Sequence, residues 1–482
     1  VRARVSRTTT RGALCGLLTC GVVAGMMGPA AAADRAPVVD FNGDGYEDIA
    51  SGAVWATVGG RLDAGAVTVL YGAKGGVSEG RRAIVHQGSP GVPGAVEADD
   101  NFGSALAAAD LDGDGYTDLA VSSVGEDIAG AQDVGAVTVL WGSRSGLSGG
   151  TALWQAPDLE ELSYFGSDVA SGDFDGDGNI DLTVTAWQST HTYYGSFDRA
   201  TGPASTVQEP FGSDWSVFAG DLDGDGDAER FYPYASDGGF GVDISYQDWD
   251  GDHDVRRTLD GAAGDVGAVG DVNGDGYDDL VLGDWTDGGR ISVWHGGPDG
   301  PDPDQTPTVI DQNSPGVPGA TETDDGFGEF VSVGDVNGDG YADAAVGTPG
   351  EDVGPAEDAG MVTVLYGSAT GLSGRGSQAF TQEVAGVPGA PEQWDAFGVA
   401  VTLRDVTGDG RADLLAGVPG ENLYGGVAYL RATASGVTTS GSLLITARDV
   451  GLEGYAGLGY STDTGAARTG PYGDAATART AS

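Results

Sequence analysis

Short runs in which β-branched and aromatic residues alternate with small or polar ones recur along this chain, as in Ala66-Val67-Thr68-Val69-Leu70-Tyr71, Ala136-Val137-Thr138-Val139-Leu140-Trp141 and Met361-Val362-Thr363-Val364-Leu365-Tyr366. Alternation with a period of two marks a strand with one face buried, and the glycines bounding each run supply the turns. No segment keeps a helical period. Between residues 102 and 155 the pattern predicts four strands: Phe102–Ala109, Asp118–Ser122, Ala136–Trp141 and one near Ala152–Gln155. Four short antiparallel strands in about 60 residues make one blade of a β-propeller.

The unit repeats. A nine-residue pattern, D-x-[DNT]-G-D-G-x-x-[DE], begins at Asp40, Asp110, Asp173, Asp221, Asp271, Asp335 and Asp405, with spacings of 48 to 70 residues. Periods of this size mark propellers or helical arrays, and the strand signals select the propeller. The expectation is an all-β fold, a seven-bladed β-propeller of four-stranded antiparallel blades spanning 34–466, with a loose tail at 467–482. The first acidic loop has only Asp34 to Val39 between it and the leader described below, whereas the other loops follow longer strand-like segments. Something must complete blade one, and Tyr455–Ser461, which reads like the start of another repeat, is the expected closing strand.

Each acidic loop offers side-chain oxygens at positions one, three and five, a backbone carbonyl at seven and a carboxylate at nine. In the seven loops those residues are Asp40, Asn42, Asp44, Tyr46 and Asp48; Asp110, Asp112, Asp114, Tyr116 and Asp118; Asp173, Asp175, Asp177, Asn179 and Asp181; Asp221, Asp223, Asp225, Asp227 and Glu229; Asp271, Asn273, Asp275, Tyr277 and Asp279; Asp335, Asn337, Asp339, Tyr341 and Asp343; and Asp405, Thr407, Asp409, Arg411 and Asp413. Hard oxygen ligands in that number suit Ca²⁺ better than Mg²⁺, which demands a tight octahedron, so up to seven Ca²⁺ are expected. An EF-hand would place Glu at position twelve between two helices. Position twelve is instead Ser51, Val121, Val184, Tyr232, Leu282, Val346 and Ala416. Glu229 and Thr407 depart from the commoner residues at their positions, and a further acidic stretch, Asp248–Asp254, lacks the second glycine and reads as a surface turn.

Phe102-Gly103 before the second loop and Val134-Gly135-Ala136 after it resemble the two halves of the FG-GAP repeat, found in integrin α-subunit propellers and in many bacterial secreted proteins. Phe327-Gly328 with Ala359-Gly360-Met361, and Phe397-Gly398 with Gly425-Gly426-Val427, repeat the arrangement, and Phe165-Gly166 opens the third unit. The fifth unit has Val266-Gly267 instead, and the third and fourth lack a clean second half, which leaves the blade boundaries between about 185 and 265 open. The resemblance implies a ligand surface on the ring face opposite the acidic loops. That face would gather 97–101, 125–133, 321–326, 350–358 and 392–395, acidic connectors with Trp394 as an aromatic exception.

Composition narrows the function. A formal net charge of −51 repels nucleic acid and anionic membranes. The first 33 residues read as a secretory signal: Arg2, Arg4, Arg7 and Arg11, an apolar stretch over Ala13–Met27, then Ala31-Ala32-Ala33. Cleavage is expected before Asp34, which makes the mature protein extracellular, without stable membrane insertion. It would also remove both cysteines, Cys15 and Cys20, so repeats and bound metal would have to supply stability. The four histidines, His86, His191, His253 and His295, sit in no catalytic motif, and no nucleophile elbow, zinc-protease or phosphate-loop signature occurs. The expected function is a secreted calcium-binding module for adhesion, binding or scaffolding, its partner a protein or carbohydrate. The alternative is a calcium-dependent enzyme acting on extracellular polysaccharide.

Overall fold

In the computed structural model the described residues are 39–153, 162–187, 189–209, 216–236, 239–247, 254–260, 262 and 264–463. The expected leader at 1–33, the expected tail at 467–482 and residues 248–253 of the acidic stretch lie outside them. The described chain forms seven four-stranded antiparallel sheets. Blades 2 to 7 each take four strands consecutive in sequence, ordered from the innermost outward. Blade 1 is composite: its outer three strands are Ile49–Ala53, Ala66–Leu70 and Arg82–Val85, and its innermost is Leu458–Thr462, from the other end of the chain.

That strand pairs antiparallel with Ile49–Ala53, placing Ser51 opposite Thr462 and Gly52 opposite Ser461. The innermost strands form an unbroken cycle in which each touches the next, and Leu458–Thr462 touches both Phe102–Ala109 of blade 2 and Val399–Arg404 of blade 7. Such closure leaves no open inner edge. The closing strand falls where the sequence places it, three residues later at its start and one later at its end. The fourth strand of blade 2 runs over Ser148–Ala152 rather than Ala152–Gln155. It is glycine-rich and lies outermost, where pairing with Ala136–Trp141 on one side is enough to hold it.

The unresolved boundaries fall into place as blade 3, from Val169 to Glu209, and blade 4, from Phe218 to Asp260. Blade 4 is hard to read because its second strand, Glu229–Ser236, carries Pro233, which cannot donate to the ladder.

Core side chains lie between neighbouring blades. Phe102, Phe165, Phe327 and Phe397 are fully buried, and each burial of this kind contributes about 1.5–3 kcal/mol by the apolar area removed from water. The glycine after the phenylalanine has a separate reason. Gly103 adopts φ +102°, and its carbonyl lies where a Cβ on Gly52 of the preceding blade would sit. The same collision faces Gly417 and the carbonyl of Gly459, so Leu458-Gly459 stands in blade 1 where other blades have Phe-Gly. Parallel bridges say the same: Gly65 to Phe102, Gly289 to Phe327, Gly360 to Phe397 and Gly425 to Leu458.

Candidate metal loops and the opposite face

All seven acidic loops precede the second strand of their blade, which puts them together on one face of the ring. Their carboxylates first of all organise backbone. In the second loop, Asp110 accepts from Asp114 N–H at 3.1 Å and Gly115 N–H at 2.9 Å. The ninth residue, Asp118, accepts from Leu111 N–H at 3.0 Å and, across the blade, from Gly142 N–H at 2.7 Å. Loops 1, 3 and 6 repeat this double use through Asp48, Asp181 and Asp343.

The ninth residues are buried, and among the described residues none of them forms an ion pair with an arginine. Burial pushes Asp48, Asp118, Asp181, Asp343 and Asp413 up to about 7, with neighbouring loop carboxylates adding to the rise. Glu229 is pushed up to about 9, again chiefly by burial. Burial raises Asp279 as well, opposed by His295, whose Nδ1 lies 3.0 Å from its Oδ1. A buried carboxylate among other carboxylates is stabilised in its charged form by a cation.

Geometry distinguishes the loops. Carboxylate oxygens of Asp110, Asp112 and Asp118 lie within 4.8 Å of one another, as do those of Asp173, Asp175 and Asp181, and those of Asp221, Asp223 and Asp225. Positions one, three and nine thus converge in loops 2 and 3, while loop 4 uses one, three and five, with Glu229 outside the group. All are hard oxygen donors, which fits a calcium-type ion. Asn42 and Asn273 turn their amide nitrogens toward the ninth carboxylate, at 3.4 and 3.3 Å, so their oxygens join a cation only after the amide rotates.

Four arginines enter three of the sites, Arg411 from its own loop and the other three from neighbouring strands and turns that the nine-residue pattern does not contain. Arg81 pairs with Asp44 at 2.6 Å. Arg199 bridges Asp112 and Asp114, the latter at 2.5 Å. In loop 7, Arg411 and Arg431 both reach Asp409, at 3.0 and 3.2 Å. Position seven has a role in its side chain as well. A Cβ on Gly43 would come 2.5 Å from Tyr116 Cε1, and Gly224, Gly274, Gly338 and Gly408 are covered in the same way by Tyr277, Tyr341, Arg411 and Tyr46. With Asp227 on Gly176, six of the seven loops place their seventh side chain on the first glycine of the loop before; Gly113, in the loop ahead of Asn179, faces open space instead.

These are blades of a known kind. The FG-GAP repeat family matches residues 35–70, 102–140, 327–365 and 397–430. The chain carries four FG-GAP repeats. It is 36% identical to integrin alpha pat-2 of Caenorhabditis briggsae over 167 residues, 32% of this chain and 13% of that one. Against the Caenorhabditis elegans protein of the same name it is 33% identical over 161 residues, 31% of this chain and 13% of that one. Phosphatidylinositol-glycan-specific phospholipase D of Mus musculus is 29% identical over 147 residues, 30% of this chain and 17% of that protein. The FG-GAP chain thus spans less than a fifth of the length of these relatives. Among solved structures, the rhamnogalacturonan lyase PL11 of Bacillus licheniformis overlaps with a TM-score of 0.40 at 14% identity, covering 80% of this chain and 69% of that one.

The face opposite the loops is built from the hairpins between second and third strands and from the connectors between blades. Backbone bonds join them, as from Asn101 N–H to the Asp63 carbonyl at 3.0 Å and from Trp394 N–H to the Glu357 carbonyl at 2.9 Å. Exposed large hydrophobic side chains among the described residues fall into two groups. Val207, Val309 and Leu443 lie on outermost strands, whereas Leu62, Leu162, Trp187, Trp285, Val384, Trp394 and Leu423 lie on this face. No helix among the described residues is long and apolar enough to cross a membrane.

Proposed function

We propose that this FG-GAP propeller is an extracellular binding module, loaded with calcium in its acidic loops, that takes a cationic polypeptide segment on the opposite face. One observation carries the reading: exposed tryptophans and leucines gather on that face among acidic residues, with Trp394 43% and Leu423 73% exposed. Exposed aromatics inside a field of one charge sign suit a partner with apolar and oppositely charged groups. Calcium in the loops would stiffen the ring from below, since in six blades the ninth carboxylate accepts an N–H at or just past the end of the third strand. The leader-like first 33 residues support an extracellular location, and the relatedness to integrin alpha pat-2 supports binding over catalysis.

The test is binding of the full chain to immobilised Lys/Arg-rich peptides and to a glycan array, with calcium and with chelator. Peptide binding that depends on calcium and falls at least tenfold in a Trp394→Ala, Trp285→Ala double variant supports the reading. Binding confined to glycans, or shortening of a polysaccharide during incubation, overturns it in favour of a carbohydrate-directed role.

A further inference from the structure

Three places on the face opposite the acidic loops repeat one constellation. Gln87, Asp100 and Glu126 form the first, between blades 1 and 2. Gln312, Asp325 and Glu351 form the second, between blades 5 and 6, and Gln382, Asp395 and Glu421 the third, between blades 6 and 7. In each, glutamine Nε2 donates to a glutamate Oε2, at 2.5, 2.6 and 2.6 Å. One aspartate oxygen accepts a connector N–H, from Glu97, Glu322 or Glu392, at 2.8, 2.6 and 2.7 Å. The aspartate's own carbonyl accepts from Gly125, Gly350 or Gly420, the residue just before the glutamate.

What these bonds leave over is oxygen. The glutamines are 7%, 2% and 5% exposed, and the Oε1 of all three is buried without a hydrogen-bond partner. Asp395 Oδ1 is in the same condition. Each amide is held against its glutamate through Nε2, which leaves its oxygen over in the same buried space between blades. A buried acceptor left unpaired costs about 1–3 kcal/mol, and the same omission in three independent copies calls for a common occupant. The charged groups acting on Asp100 and Glu126 are Glu97, Asp99 and Asp127 besides each other, all carboxylates. Around Asp395 and Glu421 they are Glu392 and again each other. Among the described residues no positive group is paired with them. Orphaned amide oxygen beside buried carboxylate is a hard, electron-rich donor set of the kind that calcium takes and soft metals do not.

We propose that these three constellations are divalent-cation sites, separate from the seven acidic loops, each holding a calcium-type ion through the glutamine Oε1, the aspartate and the glutamate. Such an ion joins a connector to the hairpin of the next blade, on the face where the exposed tryptophans lie. The inference stands on the clusters themselves and is independent of whether the acidic loops are filled.

Crystals of the full chain grown with Tb³⁺ in place of calcium test it through anomalous difference maps. Peaks beside Gln87, Gln312 and Gln382 are the expected result. Peaks on the acidic loops alone, or a water or glutamate proton against each glutamine oxygen, overturn the proposal. A second measurement counts bound calcium by mass spectrometry after equilibrium dialysis. The Gln87→Leu, Gln312→Leu, Gln382→Leu triple variant should carry three ions fewer than the unaltered chain, and an unchanged count overturns the proposal. The crystallographic arm needs no variant, so it decides the matter even where the triple variant fails to fold.

Discussion

Arg404, on the innermost strand of blade 7, pairs with Asp463, just past the closing strand of blade 1, at 2.7 Å, and the aspartate side chain is fully enclosed. The same guanidinium donates to the carbonyl of Asp48 at 3.1 Å, and the second acceptor role of Asp463 is toward Ala50 N–H at 3.3 Å. One ion pair thus joins the last blade, the first acidic loop and the closing strand, where the ring has no covalent continuity.

Asp463→Ala should accordingly loosen the ring. Removing one partner of a buried pair leaves the other charge uncompensated and costs about 3–5 kcal/mol. Asp449→Ala serves as the comparison, because it removes only the exposed capping box with Thr446, worth about 1 kcal/mol. Chemical denaturation of both variants checks this. Equal losses would show that the seam is not a weak point of the ring.

Calcium removal should lower the Tm. A ligand that binds only the folded state stabilises it by about 2.7 kcal/mol per site at a hundredfold excess over Kd, and Mg²⁺ should restore little. In a calcium titration followed by calorimetry, Asp114→Ala should remove more of the calcium-dependent rise than Asp409→Ala. Loop 2 has aspartate at positions one, three, five and nine, and Asp114 meets one guanidinium, that of Arg199, whereas Asp409 is held by two and its loop has Thr407 at position three. An unchanged Tm in excess chelator, after verified metal removal, would reduce the loops to acidic turns.

The interlocking of successive loops predicts an asymmetry between two glycines of one loop. Gly43 and Gly45 both have positive φ, +67° and +85°, so alanine at either pays the left-handed penalty of about 1–2 kcal/mol. Only Gly43 is covered by Tyr116, while Gly45 faces open space. Gly43→Ala should therefore be the more destabilising, and combining each with Tyr116→Ala should bring the two to the same loss. A persistent difference in the Tyr116→Ala background would mean the tyrosine is not what excludes the side chain.

His191 should contribute acid sensitivity. It is 1% exposed, lies edge-on to Phe165 at 5.3 Å and 3.1 Å from Ser189 Oγ, and burial pushes it down to about 4 from 6.5. The folded state thus keeps the ring neutral where the unfolded chain protonates it. Its stabilisation is complete above about pH 6.5 and is lost as pH falls toward 4, by at most about 3 kcal/mol. Unfolding free energies of His191→Gln and the unaltered chain between pH 4 and 7 should converge toward the acid end. Parallel curves would contradict the assignment.

Much of the molecule is legible in sequence because its information is local. The alternating run Ala136–Trp141 needs only its own residues to specify a strand, and Asp110–Asp118 only nine to specify a loop whose carboxylates bond its own N–H groups. The repeat then carries the blade count, and the likeness of Tyr455–Ser461 to the start of another repeat points to the closing strand. The sequence is silent where a residue type changes but a geometric role does not. Leu458 bridges Gly425 as Phe397 bridges Gly360, yet it does not spell Phe-Gly. Pro233 obscures a strand that pairing with Val242 nonetheless maintains.

By itself, then, the sequence determined the strands, their grouping into seven units and the oxygen-rich loops, since each depends on residues within reach of one another along the backbone. Only the tertiary structure decided that Arg199 would enter the loop of Asp114, 85 residues earlier, that Tyr116 would cover Gly43, and that Gln87 and Glu126 would share a buried cluster with an oxygen to spare. Those relationships arise between blades, where the distance that matters is set by packing around the ring and leaves no regular spacing in the chain.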